Sequence, residues 1–428
     1  MEAIRMHASD SVTGRQKPAA EATSGGKGWL GAAGWYSVAS LGAGFFYAFN
    51  NFTLPLVLGA MTSNATLIGL LSSTRSIEGV VIQPTIGAWS DRVWTPLGRR
   101  RIFMAVGLPI SAFFFVVAAQ VHTLPLLVAA IVLFSLLFNA AIDPYNALLA
   151  DLFSPERRSV VNGLATVVQF VGQVAMLLLA AQLSGNTVPP VVFYVVAGGM
   201  LVTAAITISR IREPRHLTAH AALPDERTAV TFREYVGHLT ANRMALRYLV
   251  CLFFFNFGVN AILPFLTLFA ERVIHTDARV AQLLSVPLLV SAGLFVLPAG
   301  LLAARIGRKP VLAGGILLLA VTALGGLVIQ TAPQTVLIVI LAGVANAAIS
   351  ATNWPLLTEL IPADEVGVFA GIKTAFESVA IPVSAIVAGA LIGHWGYRAI
   401  FGVLTFGAVI AVLVLSTVVL PGDTADGE

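Results

Sequence analysis

The sequence predicts an all-α membrane protein of twelve transmembrane helices, arranged as two six-helix pseudo-repeat halves. Three observations carry this reading. The 428 residues are 57% hydrophobic and only 11% charged, with a mean hydropathy of +0.87, which excludes a string of soluble domains. Apolar runs of about 20 residues recur, each long enough to cross a bilayer core. Landmarks of the first half also return in the second at a nearly fixed offset.

Taken in order, residues 1–28 are small, polar and broken by Gly and Pro, which predicts a disordered tail rather than a signal peptide. Spans are expected at about 33–58, 67–89, 102–120, 124–150, 160–183 and 189–209, completing a first half over 29–210. A charged central loop, 211–247, follows. The second half, 248–420, holds spans at about 248–270, 281–303, 311–331, 335–358, 368–393 and 398–420, before a short tail at 421–428.

The repeat is explicit. Asn51-Phe52-Thr53-Leu54-Pro55 returns as Asn260-Ala261-Ile262-Leu263-Pro264, and Gly98-Arg99-Arg100 as Gly307-Arg308-Lys309, both 209 residues later. Leu148 to Leu152 returns as Leu356 to Leu360, and Gly163 as Gly371, both 208 residues later.

Charge sets an expected orientation. The loops that would share one side hold 16 Lys or Arg, whereas the opposite loops hold only Arg272, Arg279 and Arg398. Cationic loops stay on the cytoplasmic side, so both termini are expected in the cytoplasm of a multi-pass protein of the cell (inner) membrane. The net charge of +4 thus reports topology and not a nucleic-acid partner. Cys251 is the single cysteine, which excludes an internal disulfide, and no metal-spaced cluster, nucleotide loop or catalytic motif is present. Neither an enzyme nor a cofactor is expected.

The densest chemistry lies at Gln83 to Arg101, where Ser90, Asp91 and Arg92 precede Gly98, Arg99, Arg100 and Arg101 between two membrane-length segments. Gly87-x-x-x-Asp91-Arg92 followed by Gly98-Arg99-Arg100 resembles the loop between the second and third helices of major facilitator superfamily transporters. With Gln83-Pro84 and the triple arginine, it is most similar to the sucrose and glycoside-pentoside-hexuronide carriers of that superfamily. The resemblance implies two parallel-repeat halves around a midplane substrate site, first and fourth helices of each half lining the cavity, and alternating access. It departs at Asn146, where those carriers have an arginine, and at Ser135, where they have a membrane aspartate, which counts against sucrose itself. The second copy of the loop carries Ala304 where Asp91 would stand, so any switch there is asymmetric.

Polar residues form stripes. Ser135, Asn139, Asp143 and Asn146 fall on one helical face, and Asn346, Ser350 and Asn353 repeat the spacing of the last three. Tyr47 and Asn51 in the first span, with Asn256 and Asn260 in the seventh, complete the candidate substrate-binding set. Neutral donors and acceptors without a charge cluster suit a sugar-like ligand, whose hydroxyls give and take hydrogen bonds; interhelical glue is the structural alternative.

Ionisable groups inside spans are Arg75, Glu78, Asp143, Lys373 and Glu377. Arg75 with Glu78 and Lys373 with Glu377 can pair along their own helices. Asp143 has no cation within a turn of its own helix, and hydrocarbon favours the neutral form of a carboxyl. It is therefore the first candidate for a proton-coupling site, followed by Glu377 and Glu78. Asp151 and Glu359 end equivalent spans and are expected to latch the arginine loops, giving an inner gate of Asp91, Arg92, Arg99, Arg100, Arg101, Asp151, Arg305, Arg308 and Glu359.

The expectation is a monomeric, proton-coupled carrier of a small polar solute, a sugar or glycoside, with the bilayer and the solute as partners. An exporter of amphipathic compounds is the alternative if Phe253, Phe254, Phe255 and Phe257 line the cavity. A membrane sensor or assembly factor is the rival from another class, though such a protein has no need of facing polar stripes.

Overall fold

A computed structural model describes residues 28–73, 86, 89–90, 93–213, 237, 242–362 and 365–420. Among these, 11 helices are long and apolar enough to span a membrane. In the first half they are α1 (Gly28–Met61), α3 (Arg101–Gln120), α4 (Leu124–Leu152), α5 (Pro155–Leu183) and α6 (Val191–Arg210), with α2 described over Ala65–Ser72. The second half holds α7 (Arg243–Arg272) and α8 (Ala278–Ile306). It continues with α9 (Arg308–Val328), α10 (Ala332–Leu360), α11 (Val366–Trp395) and α12 (Ala399–Ser416).

Helix ends differ from the apolar spans because caps, and not hydropathy, set them. Asn242 accepts from the Ala245 N–H and starts α7 there, so Arg243 and Arg247, expected in the central loop, lie in its first turns. At the other end α12 stops at Ser416, short of residue 420, and the carbonyls just past its end are met by Arg247, bonded to that of Thr417, and by Lys309, bonded to that of Val418.

The repeat seen in the sequence is repeated in the packing. Helix α1 packs on α5 and α6, and α3 on α4 and α6; six helices later α7 packs on α11 and α12, and α9 on α10 and α12. The halves meet through α2 against α11 and through α5 against α8, two contacts that interchange under the same six-helix shift. In lipid, such contacts rest on close packing more than on burial from water. At Gly389 a Cβ would stand 2.3 Å from the Thr66 backbone, so only glycine lets α11 approach α2.

Both NxxxP landmarks break their helices. Pro55 has no N–H for the Asn51 carbonyl, and α1 widens into a π-turn over Phe49–Thr53, closed by the Leu54 N–H on the Phe49 carbonyl. In α7 the equivalent Pro264 lies in a tight 3-10 turn, Leu263–Phe265.

Candidate functional site

The widened turn of α1 points successive residues in different directions. Asn50 donates to the Ser72 carbonyl of α2 at 3.0 Å. Asn51 faces a cavity of about 230 Å³ between the halves. Thr53, fully buried, donates to Gln282 of α8 at 3.1 Å.

That last bond belongs to a seal between the halves. The Gln282 amide also donates to Ser184 at the end of α5, 3.2 Å away. Arg272 donates to the Gly59 carbonyl at 2.8 Å, and the Arg279 N–H to the Gly185 carbonyl. Burial raises the nearby Tyr397 phenol above its ordinary value, against the pull of Arg272. At the opposite, cationic end, equivalent faces of α5 and α11 are uncovered: Gly163 and Thr166 on one, Gly371 and Thr374 on the other, are all exposed. Among the described residues the halves are thus bolted at one end, while these two faces at the other end are exposed.

The cavity lies just inside the seal. Its lining is mostly aliphatic, including Leu288, Leu289 and Ile338, with two rings, Phe52 and Phe401. The polar groups are Asn51 of α1, Gln173 of α5, Thr322 of α9 and Asn346 of α10. Two of the stripe residues, Asn51 and Asn346, therefore reach it from opposite halves.

The other stripe residues are placed differently. Tyr47 is half-buried against Phe46 and Phe138, Asn139 is buried, and Asn146 and Ser350 are exposed. Asn256 donates to the Leu252 carbonyl and, at 3.5 Å, to Glu377. Asn260 donates to the Asn256 carbonyl. Asn353 receives the Tyr248 hydroxyl at its backbone carbonyl, 2.8 Å away. Glu377 is paired with Lys373 at 2.6 Å along α11. Asp143 is half-buried on α4 and is not without partners. Arg75, Glu78, Asp91 and Arg92 lie outside the described residues.

At the cationic end the expected acid–arginine pairs form within each half. Asp151 takes Arg99 at 2.9 Å and Arg100 at 2.7 Å, all three largely buried. Glu359 pairs with Arg308, which also bonds the Pro355 carbonyl, and this pair is exposed. Arg305 is exposed, and Arg101 bonds the Ile208 carbonyl at the end of α6.

The sequence reading missed three groups. Glu213, just past α6, accepts the backbone N–H of Arg99 at 2.7 Å, of Arg100 at 3.0 Å and of Arg101 at 2.8 Å, a carboxylate on the N-terminus of α3. Gly98 makes room for it: its φ is +119°, and a Cβ there would stand 2.4 Å from the Glu213 carboxylate. Gln282 is a single amide in an apolar run, whereas Gln173 shares one face of α5 with Asn162, Thr166 and Gln169; in both cases the signal is a polar residue at membrane depth.

Comparison with known proteins follows the same outline. A model of the Major Facilitator Superfamily matches residues 36–296 and 248–427. A uridine/deoxyuridine transporter of Lactococcus lactis is 29% identical over 184 residues, 42% of this chain and 37% of that protein, so the match spans little more than a third of the relative. Among solved structures, a mutant of the nucleoside transporter NupG aligns with a TM-score of 0.75 at 14% identity, over 90% of this chain and 99% of that one. A bacterial homolog of the human lysosomal transporter Spinster, inward-facing and unoccupied, aligns with a TM-score of 0.69 at 14% identity, over 94% and 98%. At such identities the likeness is one of fold.

Proposed function

The chain belongs to the major facilitator superfamily, and from that premise we propose that it carries a small glycoside, of the nucleoside class, by alternating access. The observation that carries this reading is the cavity itself: a mostly apolar chamber, set between the halves and directly behind the bolted end, with a few amides converging from both sides. A bare sugar bears hydroxyls around its whole rim and would leave most of them without partners in such a lining. A nucleoside has a flat, apolar-faced base with a polar edge, and a ribose that confines its hydroxyls to one side. The uridine/deoxyuridine transporter among the similar proteins supports the same choice. Phe253, Phe254, Phe255 and Phe257 are not among the lining residues, so the exporter of amphipathic compounds gains nothing from this cavity.

On this reading the carrier opens toward the cationic end, where Gly163, Thr166, Gly371 and Thr374 are exposed, and the positive-inside rule assigns that end and both termini to the cytoplasm. Solute enters between the uncovered faces of α5 and α11. Asn51 and Gln173 on one half and Asn346 on the other then draw on one ligand. Closing the cationic end around it favours a state in which the Thr53–Gln282 bolt is released. A ligand shifts such an equilibrium only by what it gains in one state over the other, and contacts from both halves supply that difference. Protons drive accumulation through Asp143, with Glu377, held by Lys373, as the second site. Both halves and the cavity lie in one chain, so a monomer suffices.

Uptake of labelled uridine into proteoliposomes, with and without an imposed pH difference, tests the reading. Saturable uptake is expected, inhibited by other nucleosides and stimulated by the gradient. Uptake of a hexose or disaccharide with none of uridine would return the ligand to the sugars; uptake of neither would overturn the glycoside reading.

A further inference from the structure

Gln173 is 6% exposed, lines the cavity, and among the described residues its side chain makes no hydrogen bond. A buried primary amide can make up to four, and leaving them unmade is costly. Native proteins therefore place such groups only where a partner completes them. The backbone beneath it is fixed. Helices α1 and α5 are so close that a Cβ on Gly44 would stand 2.2 Å from the Gln169 carbonyl and 3.0 Å from the Gln173 nitrogen. Gln173 is thus an anchored amide aimed into space that a solute can fill.

Resting on the nucleoside reading above, we propose that Gln173 selects the solute by reading the hydrogen-bonding edge of its base. An amide presents a donor and an acceptor side by side. The uracil edge presents the complement, N3–H beside a carbonyl, so the two close a pair of parallel hydrogen bonds. Ribose hydroxyls offer no such paired edge.

Depth assigns the base to this end of the cavity. Gln173 and Asn51 each lie ten residues from the bolted end of their helices, about 15 Å at 1.5 Å per residue. Phe52, next to Asn51, supplies a ring face in the same lining. The flat base belongs in this dry, closed part, and the ribose faces the open cationic side, where its hydroxyls meet water. Asn346, from the second half, completes the set, so one ligand is held by both halves.

The test measures binding of uridine, N3-methyluridine and 2′-deoxyuridine to the purified full-length carrier and to Gln173→Met, which keeps the length of the side chain and removes its donor. N3-methylation deletes the one donor of the uracil edge and nothing of the ribose. Wild type should bind uridine about 10- to 100-fold more tightly than N3-methyluridine, the range expected when a buried amide loses its partner. In Gln173→Met that ratio should fall to within about three-fold, with the uridine to 2′-deoxyuridine ratio unchanged. Gln173→Leu serves as the second variant should the methionine form fail to fold. Equal discrimination in wild type and variant, or none in wild type, would overturn the assignment while leaving uridine as the solute. Loss of the 2′-deoxyuridine ratio instead would place the ribose at Gln173 and overturn it equally. Failure of wild type to bind uridine at all would overturn the nucleoside reading first, a result distinct from the others.

Discussion

Thr53 and Gln282, both fully buried, hold each other at 3.1 Å across the boundary between the two halves. No charge is involved in that bond. Thr53 stands two residues past Asn51 on the same widened turn, so the group that faces the cavity and the group that bolts the far end share one short piece of backbone. A movement of that turn toward bound solute also moves the bolt.

Thr53→Val should therefore loosen the bolted end. It keeps the shape of the side chain but strands the Gln282 oxygen without its donor, a cost of about 1–3 kcal/mol in the closed form only. Spin labels at Ala60 and Arg279, on the two sides of the seal, should gain a longer-distance population in the variant. An unchanged distance distribution would mean that the bolt contributes nothing to the balance of states.

The acid–arginine pairs at the cationic end should differ in weight. Asp151→Asn leaves two largely buried arginines short of their acid and should destabilise the first half by about 2–4 kcal/mol, seen as a lower Tm of the purified protein. Glu359→Gln breaks an exposed pair and should cost less than about 1 kcal/mol. Equal losses in the two variants would contradict this ranking.

Gly98 and Glu213 should act as one unit. Glu213→Gln removes the charge that caps α3, and Gly98→Ala both strains a positive-φ position and intrudes on the carboxylate. Each should lower Tm, and the double variant should fall short of the summed losses by at least about 0.5 kcal/mol, as coupled neighbours do. Additive losses would show that the glycine serves the turn alone.

The contrast between these residues explains what the sequence could disclose. Asp151, Glu359 and the arginine loops were legible because charges in a chain this apolar have few alternatives to one another. The repeat was legible because Asn51 with Pro55 and Asn260 with Pro264 keep both their mutual spacing and a 209-residue offset. Glu213 was not, since it follows α6 and meets Arg99 across 114 residues of chain, with no periodicity to connect them. The stripes on the first and fourth helices of each half indicated which helices are polar but not which amides meet: Asn256 and Asn260 turn to carbonyls of their own helix, while Gln173, on α5, reaches the cavity. Rotamer and crossing angle decide that, and neither is written in residue spacing.

Energy coupling is the last expectation, and it rests on Asp143. Helix α4 runs to Leu152, so the carboxyl lies nine residues from its cationic end, about 14 Å in at 1.5 Å per residue. Asp143 is half-buried there, on the side from which the proposed solute path enters, and that path would also bring a proton from water. Pro144 follows it inside the helix and leaves the Ala140 carbonyl without its usual donor, which favours hydration beside the carboxyl. A carboxyl in such a place can be neutral when the halves close around it and ionised when water returns, and those two forms are what carrying a proton requires. Asparagine has the same shape and cannot change charge. Asp143→Asn should abolish accumulation of labelled uridine against its gradient when a pH difference is imposed, while exchange between equal internal and external pools continues at a rate within about three-fold of wild type, since exchange needs both conformations but no net proton movement. Continued pH-driven accumulation in that variant would transfer the role to Glu377, whose partner Lys373 would then have to release it in each cycle.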